Sequence, residues 1–233
     1  MSHALSTEPQ TLPELLLTRA RELADEPIVR DARQTWSYGE LAYRVAEVAA
    51  GLRTLGVGPG DVVGVILRNG PEYLEVWWAI LWLGAVFNPV NPDLTGRETA
   101  GILGDSGATV VVCDQPAADA LGEHRDQLPA LREVVITGQT GPDPLALLRG
   151  NGATERPASV HPGDLASLVY TSGTTGRPKG AMLTHGNFLA NTWMLAELLP
   201  LGRGDTLGMV LPLFHVNAQV VTTMVPLLIG GRI

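Results

Sequence analysis

The chain has 233 residues, of which 45% are hydrophobic and 17% are charged, and 16 Lys and Arg against 24 Asp and Glu give a formal net charge of −8. The large apolar share excludes a disordered chain, and the acidic balance excludes a protein that binds mainly nucleic acid. The single cysteine, Cys113, excludes an internal disulfide and a thiolate zinc site, and we predict a cytoplasmic protein.

Two helices near the N-terminus are predicted by capping-box spacing, in which a hydroxyl residue is followed three positions later by Glu. Thr11 with Glu14 begins the first predicted helix, and Ser37 with Glu40 begins the second. The second helix is expected to end near Gly56, since glycine commonly follows the last residue of a helix.

Short apolar runs lie between the helical stretches and are typical of strands buried on both faces of a parallel sheet. After the first such run, Pro71 suits the first turn of a third helix. This alternation predicts an α/β fold of layered, largely parallel sheets flanked by helices. The predicted strands span residues 62–67, 109–113, 134–137, 165–170 and 207–211.

Two long stretches carry no charge, residues 76–92 and residues 206–231. Proline and polar residues interrupt both stretches, and such residues are costly inside a bilayer. We therefore predict that both are buried core elements and that the chain has no membrane span.

Residues 138–163 are rich in Gly and Pro and have little apolar periodicity. This composition predicts a surface connection and a candidate subdomain boundary. The last four residues, 230–233, are typical of a turn that enters a new strand. We therefore expect the 233 residues to be part of a longer protein.

The most distinctive segment is residues 171–180, which follow the predicted strand 165–170 and read Thr-Ser-Gly-Thr-Thr-Gly-Arg-Pro-Lys-Gly. Glycines let backbone N–H groups approach a ligand closely, and Arg177 and Lys179 add positive charge. Successive N–H groups of such a loop form an anion site, so the segment predicts polyphosphate binding. A flexible linker is the alternative, but linkers seldom follow a buried strand. A Walker A loop is disfavoured, because Pro-Lys-Gly stands where Gly-Lys-[Ser/Thr] is required.

Residues 168–181, which contain this segment, continue into Thr184-His185-Gly186-Asn187 and resemble the signature of the adenylate-forming superfamily. That superfamily contains acyl- and aryl-CoA synthetases, firefly luciferases and peptide-synthetase adenylation domains. Residues 35–41, 58–63 and 84–92 resemble its N-terminal region in the same order. The resemblance implies that residues 1–233 are an incomplete N-terminal domain without the C-terminal domain, and this chain alone is expected to be inactive.

The resemblance implies an ATP-dependent ligase that works in two half-reactions. A carboxylate attacks the α-phosphate of Mg-ATP to give an acyl-adenylate and pyrophosphate, and a thiol, usually that of coenzyme A, then displaces AMP. Lys179 would place its charge on the departing pyrophosphate, and Thr171 would lie near Mg²⁺ through the phosphates. The residues implied to hold the β- and γ-phosphates are Thr171, Ser172, Gly173, Thr174, Thr175, Gly176, Arg177, Lys179 and Gly180.

A second segment, residues 211–219, resembles the border of the acid pocket in acyl- and aryl-CoA ligases. The resemblance implies that Phe214, His215 and Asn217 contact the carboxylic acid and that His215 gates its pocket. Amino-acid-activating domains have Phe-Asp here, so a free amino acid is disfavoured. The residues alone leave another role open, in which His215 bonds a backbone carbonyl near a helix start. The Phe-His-Val-Asn-Ala-Gln order resembles crotonobetaine/carnitine-CoA ligases most.

Several alternatives remain open at this stage. The chain could be a non-catalytic nucleotide-binding remnant, or the acceptor could be a carrier-protein thiol, an amine or another nucleophile. A homo-oligomer is compatible with the sequence. Gly104-Asp105-Ser106-Gly107 is similar to a serine-protease nucleophile segment, but it runs straight into the predicted strand 109–113, and we interpret the match as chance.

Overall fold

The computed structural model describes residues 8–138, 143–152, 155–171 and 179–233. Helices and strands alternate along the chain, as the sequence predicts. The helices are α1 (Leu12–Glu22), α2 (Tyr38–Thr54), α3 (Pro71–Trp82), α4 (Gly96–Ser106), α5 (Gln115–Gly122), α6 (His185–Leu198), α7 (Val216–Gln219) and α8 (Val225–Ile229). The strands are β1 (Pro27–Arg30), β2 (Thr35–Ser37), β3 (Val62–Ile66), β4 (Val86–Pro89), β5 (Val110–Cys113), β6 (Glu133–Ile136), β7 (Leu165–Thr171) and β8 (Lys179–Thr184).

Six of the strands form one sheet in the order β6-β5-β3-β4-β7-β8. The neighbouring pairs of this sheet are parallel except for β7 and β8, which are antiparallel. β1 and β2 form a separate antiparallel pair. The predicted α/β fold with a largely parallel sheet is confirmed, and four of the five predicted strands correspond to β3, β5, β6 and β7.

Helix α3 lies in the core, which is why most of its side chains are apolar. Trp77 and Trp78 are fully buried, and the Trp77 ring stacks on Phe87 of β4 with 5.5 Å between the ring centroids. The uncharged stretch 76–92 is therefore core, as predicted. The same prediction is wrong for the first part of the stretch 206–231, where Val210 and Leu211 are exposed because this part lies outside the sheet. In the part of the chain that the structure describes, no helix combines the length and the apolar character needed to cross a membrane.

The two predicted capping boxes have different outcomes. At the start of α2, the Ser37 hydroxyl accepts from the Glu40 N–H, and the Glu40 carboxylate accepts from the Ser37 N–H. Before α1, the prediction of a reciprocal box at Thr11 is wrong, because the Glu14 carboxylate accepts from the Gln10 N–H instead, at 2.8 Å. The helix itself begins where the sequence predicts, so the error concerns only the local hydrogen bonds.

The predicted strand at residues 207–211 is wrong. The structure has a single parallel bridge there, between Thr206 and Arg232, and Val210 is 86% exposed. A strand needs a row of backbone partners, and a short apolar run cannot supply those by itself. Gly208 also interrupts the run.

The surface position predicted for residues 138–163 is wrong for their central part. Leu145 and Leu148 are buried at 1% exposure, and the backbone of Leu148 lies against Gly51 of α2. A Cβ at Gly51 would come within 2.0 Å of the Leu148 carbonyl oxygen, so the close approach requires glycine inside this helix. The subdomain boundary in residues 138–163 stays a prediction.

An ion-pair cluster fastens the same connection to α2 and α3. Arg149 pairs with Asp143 at 2.8 Å and with Glu75 of α3, whose side chain is 1% exposed. Arg44 of α2 lies 3.7 Å from Glu75. Burial raises the pKa of Glu75, and the two arginines act in the opposite direction. The Arg149 guanidinium thus offsets part of the free-energy cost of burying the charged Glu75 carboxylate.

We expect Arg149→Ala to lower the free energy of unfolding by about 3 kcal/mol, because it leaves the Glu75 carboxylate buried beside the more distant Arg44 alone. Urea unfolding measures the difference. The matched control is Arg53→Ala, which breaks an ion pair with Glu155 in which Arg53 is 49% exposed. A more exposed pair should cost about 1 kcal/mol or less. Equal losses in the two variants would contradict this account of the cluster.

Candidate functional site

The candidate phosphate site lies at the carboxyl end of β7, in the edge region where open α/β sheets usually bind ligands. Thr171 is the last residue of β7 and pairs across the two strands with Lys179, the first residue of β8. Both residues are exposed. Directly opposed residues of an antiparallel pair share one face, so a hydroxyl and an ammonium stand side by side.

The structure divides the predicted phosphate-binding residues into two groups. Thr171, Lys179 and Gly180 belong to the strand pair, where the sequence alone predicts a continuous loop. The remaining predicted residues lie outside the described part of the chain, and they are Ser172, Gly173, Thr174, Thr175, Gly176 and Arg177. The roles of both groups stay predictions.

The carboxyl end of β7 contacts α4 through a hydrogen bond. The Tyr170 hydroxyl donates to the Asp105 carboxylate at 2.6 Å, and burial together with Asp105 raises the pKa of Tyr170. The Tyr170 ring lies over its cross-strand partner Gly180, where a Cβ would approach to 3.0 Å. The Ser106 hydroxyl donates to the Leu103 carbonyl oxygen. Asp105 and Ser106 therefore have structural contacts, in keeping with the interpretation of that segment as a chance match.

The last part of the signature, residues 184–187, forms the start of α6 and holds it in place. The Thr184 hydroxyl accepts from the Asn187 N–H, and the Asn187 side chain accepts from the Thr184 N–H. His185 is completely buried, and its Nδ1 accepts from the N–H of Leu12 at 3.4 Å. Burial lowers the pKa of His185 to about 4, against the opposing influence of Asp164 and Glu14. A neutral His185 thus joins α6 to the first residue of α1.

The predicted acid-pocket residues form a compact turn before α7. The rings of Phe214 and His215 contact each other with 4.4 Å between centroids. Phe214 is half-buried, whereas His215 and Asn217 are exposed. The backbone N–H of His215 donates to the Pro212 carbonyl oxygen at 3.0 Å. The His215 ring is therefore exposed beside Phe214, and its role as a gate stays a prediction.

Two polar residues outside the predicted site hold this turn. The Asn69 side chain bonds the Leu211 carbonyl oxygen and the Leu213 N–H, both at 2.8 Å. The Gln219 amide donates to the Leu213 carbonyl oxygen at 2.9 Å. The sequence contains one signal for Asn69, because it is a polar residue two positions after the predicted strand 62–67. Its partner more than 140 positions away has no such signal.

The described residues offer little for a metal cage. Among residues 8–138, 143–152, 155–171 and 179–233, no group of three or more His, Cys, Asp and Glu side chains is placed to hold a metal ion. Mg²⁺ is commonly bound through one or two protein ligands together with nucleotide phosphates. The predicted position of Thr171 near Mg²⁺ stays a prediction.

Comparison with known proteins agrees with the predicted fold and family. A family model described as AMP-binding enzyme matches residues 16–233. The chain belongs to the AMP-binding enzyme family. The resemblance to the adenylate-forming superfamily is thereby confirmed, whereas the finer likeness to crotonobetaine/carnitine-CoA ligases stays a prediction.

Relatives of this AMP-binding chain include two ligases named for different acids. It is 38% identical over 220 residues to a feruloyl-CoA synthase from Amycolatopsis sp, an alignment that covers 92% of this chain and 42% of the relative. It is 36% identical over 192 residues to the long-chain-fatty-acid–CoA ligase FadD13 from Mycobacterium tuberculosis, covering 81% of this chain and 37% of the relative. The chain thus spans less than half the length of these curated relatives.

A solved structure of the same family has nucleotide bound. The crystal structure of ATP-bound MatB from Rhodopseudomonas palustris superposes with a TM-score of 0.82 and 29% sequence identity. The match covers 94% of this chain and 44% of that chain. The largely parallel sheet and its antiparallel edge pair therefore belong to an established family fold.

We expect the buried His185 to make stability depend on pH. Between pH 6.5 and about 4, the unfolded chain takes up a proton at His185 and the folded chain does not, so the free energy of unfolding falls as the pH falls. The loss should reach about 3 kcal/mol at pH 4.

The measurement is urea unfolding from pH 7 to pH 4 for wild type and His185→Gln, in which this part of the pH dependence should disappear. The matched control is His161→Gln, at an exposed histidine, which should keep the wild-type profile. Parallel profiles for wild type and His185→Gln would contradict the buried neutral state.

Proposed function

We propose that this chain is part of an acid–thiol ligase that activates a carboxylic acid with ATP and transfers the acyl group to coenzyme A. The observation that carries the proposal is the cross-strand pairing of Thr171 with Lys179 at the carboxyl end of β7, in a chain of the AMP-binding enzyme family. The full ligase activity is a property of a longer protein, since this chain spans less than half of its curated relatives.

The strand pair supports a role in holding the leaving pyrophosphate. In the first half-reaction, a carboxylate oxygen of the acid bonds to the α-phosphorus of ATP, and the bond between the α-phosphorus and the bridging oxygen breaks. Negative charge grows on the departing pyrophosphate, and the proposed role of the Lys179 ammonium is to stabilise that charge. The Thr171 hydroxyl, opposite Lys179 in the strand pair, is proposed to donate to the same phosphates. Mg²⁺ supplies further charge neutralisation when it is bound with the nucleotide.

The contact between Phe214 and His215 supports an acid pocket with an aromatic border. An exposed imidazole beside a phenyl ring has no fixed negative charge with which to bind an α-ammonium group, so acids without an amino group are favoured. The relatives named for ferulic and long-chain fatty acids are of this kind. In the second half-reaction, a thiol attacks the acyl carbonyl carbon, AMP leaves, and a thioester forms. We propose coenzyme A as the thiol.

The proposed site of action is the cytoplasm. ATP and coenzyme A are available there, and a single buried cysteine, Cys113, is compatible with a reducing compartment. Burial raises the pKa of the Cys113 thiol to about 12, so this thiol is unsuited to act as a nucleophile. The acyl group is therefore proposed to pass directly from AMP to the external thiol.

We expect Lys179→Ala to slow acid-dependent ATP–pyrophosphate exchange by about a hundredfold in the full-length protein, because the departing pyrophosphate loses a fixed charge. A panel of aliphatic and aromatic carboxylic acids is assayed with wild type to find the best substrate, and the variant is then compared on that acid. The control is Lys179→Arg, which keeps the positive charge and should retain most of the activity. Unchanged exchange in Lys179→Ala would contradict the assignment, and no exchange by wild type with any acid would contradict the proposed function.

We expect His215→Ala to change acid selectivity more than ATP binding. The ratio of kcat/KM between an aromatic and an aliphatic acid should shift about fivefold or more, because the pocket border loses a ring. KM for ATP should stay within about twofold of wild type, since the predicted phosphate contacts lie on other elements. The matched control is Val210→Ala, at a nearby residue that is 86% exposed. A wild-type selectivity profile in His215→Ala would argue against its pocket role.

A further inference from the structure

Asn69 connects two parts of the molecule that are far apart in sequence, the loop after β3 and the segment that carries Phe214 and His215. Its Nδ2 donates to the Leu211 carbonyl oxygen, and its Oδ1 accepts from the Leu213 N–H, each at 2.8 Å. A side-chain amide has a donor and an acceptor at fixed spacing. One residue therefore pairs with two backbone groups, as a neighbouring strand would.

The segment before the turn depends on such a partner because it is outside the sheet. Its last backbone contact with a strand-like neighbour is at Leu207, whose N–H donates to the Arg232 carbonyl oxygen at 3.0 Å. Pro212 has no N–H to offer. Without Asn69, the backbone from residue 208 to residue 212 would have only its own local hydrogen bonds within the described chain, such as the one between Val210 and Gly208.

Leu213 links the Asn69 hydrogen bond to Phe214 and His215. Its N–H is bonded to Asn69, its carbonyl oxygen is bonded to the buried Gln219 amide at 2.9 Å, and its side chain is fully buried. A residue held at both backbone groups and in the core has little rotational freedom left. Phe214 and His215 follow it directly, so their orientation depends on how Leu213 is held.

Asn69 lies in the short loop between β3 and α3, two elements that pack in the core. It follows β3, which is paired with β4 on one side and β5 on the other. Two residues later, Pro71 begins the buried helix α3. A side chain in a short connection between an inner strand and a buried helix can hold its partner more accurately than one placed in a long loop.

We propose that Asn69 is a positioning residue for the acid pocket. By holding Leu211 and Leu213, it sets where Phe214 and His215 stand, and thereby which carboxylic acids are accepted. This selectivity role rests on the proposed function, whereas the backbone clamp does not. Because the Asn69 side chain is itself exposed, its removal should shift the turn without unfolding the core.

The clamp is tested by hydrogen–deuterium exchange in the full-length protein, without any assay of activity. We expect the Leu213 amide to exchange about tenfold faster in Asn69→Ala, because it loses its acceptor. The matched control is Arg68→Ala, at an exposed neighbour whose side chain pairs with Asp93 instead. It should exchange as wild type does. Equal rates at Leu213 in wild type and Asn69→Ala would overturn the clamp.

The selectivity role is tested by kcat/KM for an aromatic and an aliphatic acid and by KM for ATP. Asn69→Ala should change the ratio between the acids about fivefold, with KM for ATP within about twofold of wild type. A wild-type ratio, or an equal change in KM for ATP, would overturn the positioning role while leaving the proposed function in place. Failure of wild type to activate any acid would instead overturn the proposed function together with the selectivity role.

Asn69→Asp tests whether the contact requires the side-chain amide or whether any small polar side chain is sufficient. It keeps an acceptor for the Leu213 N–H, but it turns an oxygen toward the Leu211 carbonyl oxygen in place of the donor. Two acceptors facing each other repel, so this variant should lose the Leu211 contact and change the selectivity ratio as Asn69→Ala does. Its Leu213 amide should exchange more slowly than in Asn69→Ala, because the acceptor of that N–H remains. A wild-type selectivity ratio in Asn69→Asp would overturn the proposal.

Discussion

β7 and β8 are antiparallel, whereas the other neighbouring strands of the six-stranded sheet are parallel, and the candidate site depends on this antiparallel pair. The register places Thr171 opposite Lys179 and Tyr170 opposite Gly180. The backbone positions of Thr171 and Lys179, near the two ends of the predicted phosphate segment, are thereby set opposite each other. An acidic chain needs such local placement of cations, because its overall charge of −8 repels a nucleotide.

The signature has structural as well as chemical parts. Thr184 and Asn187 cap α6, and His185 docks the same helix on α1 through a buried contact. Tyr170, one residue before Thr171, is held by Asp105 of α4 and covers Gly180. Several residues that resemble a functional motif thus stabilise the elements from which the proposed phosphate contacts extend.

The predicted acid-pocket segment is organised in a different way, by hydrogen bonds from side chains and not by sheet pairing. Residues 207–211 are apolar and resemble a strand in sequence, yet they lack the row of backbone partners that a strand requires. Asn69 and Gln219 supply hydrogen bonds in place of a strand neighbour. The predicted acid-pocket turn is thus held by two side-chain amides and not by a neighbouring strand.

Much of the fold could be predicted from local patterns. The apolar runs that became β3, β5, β6 and β7 are bounded by turn residues, and the Ser37 capping box requires only neighbours in the chain. Residues 145–149 were mispredicted as surface because their burial depends on Gly51 and Glu75, which lie about a hundred and about seventy positions earlier. The Thr171–Gly180 segment was recognised by composition, but its division into strand and connection depends on pairing that composition does not encode.

The sequence by itself determined the fold class and the family, because periodicity, capping residues and a long motif are local properties of the chain. Its assignment of the phosphate-binding segment stays a prediction. Only the tertiary structure decided that His185 is a buried neutral contact, that Asp105 braces Tyr170, and that Asn69 holds Leu211 and Leu213. Each of these contacts joins residues at least 65 positions apart. Which distant side chains meet is set by how the sheet and its helices pack, and no local pattern records that packing.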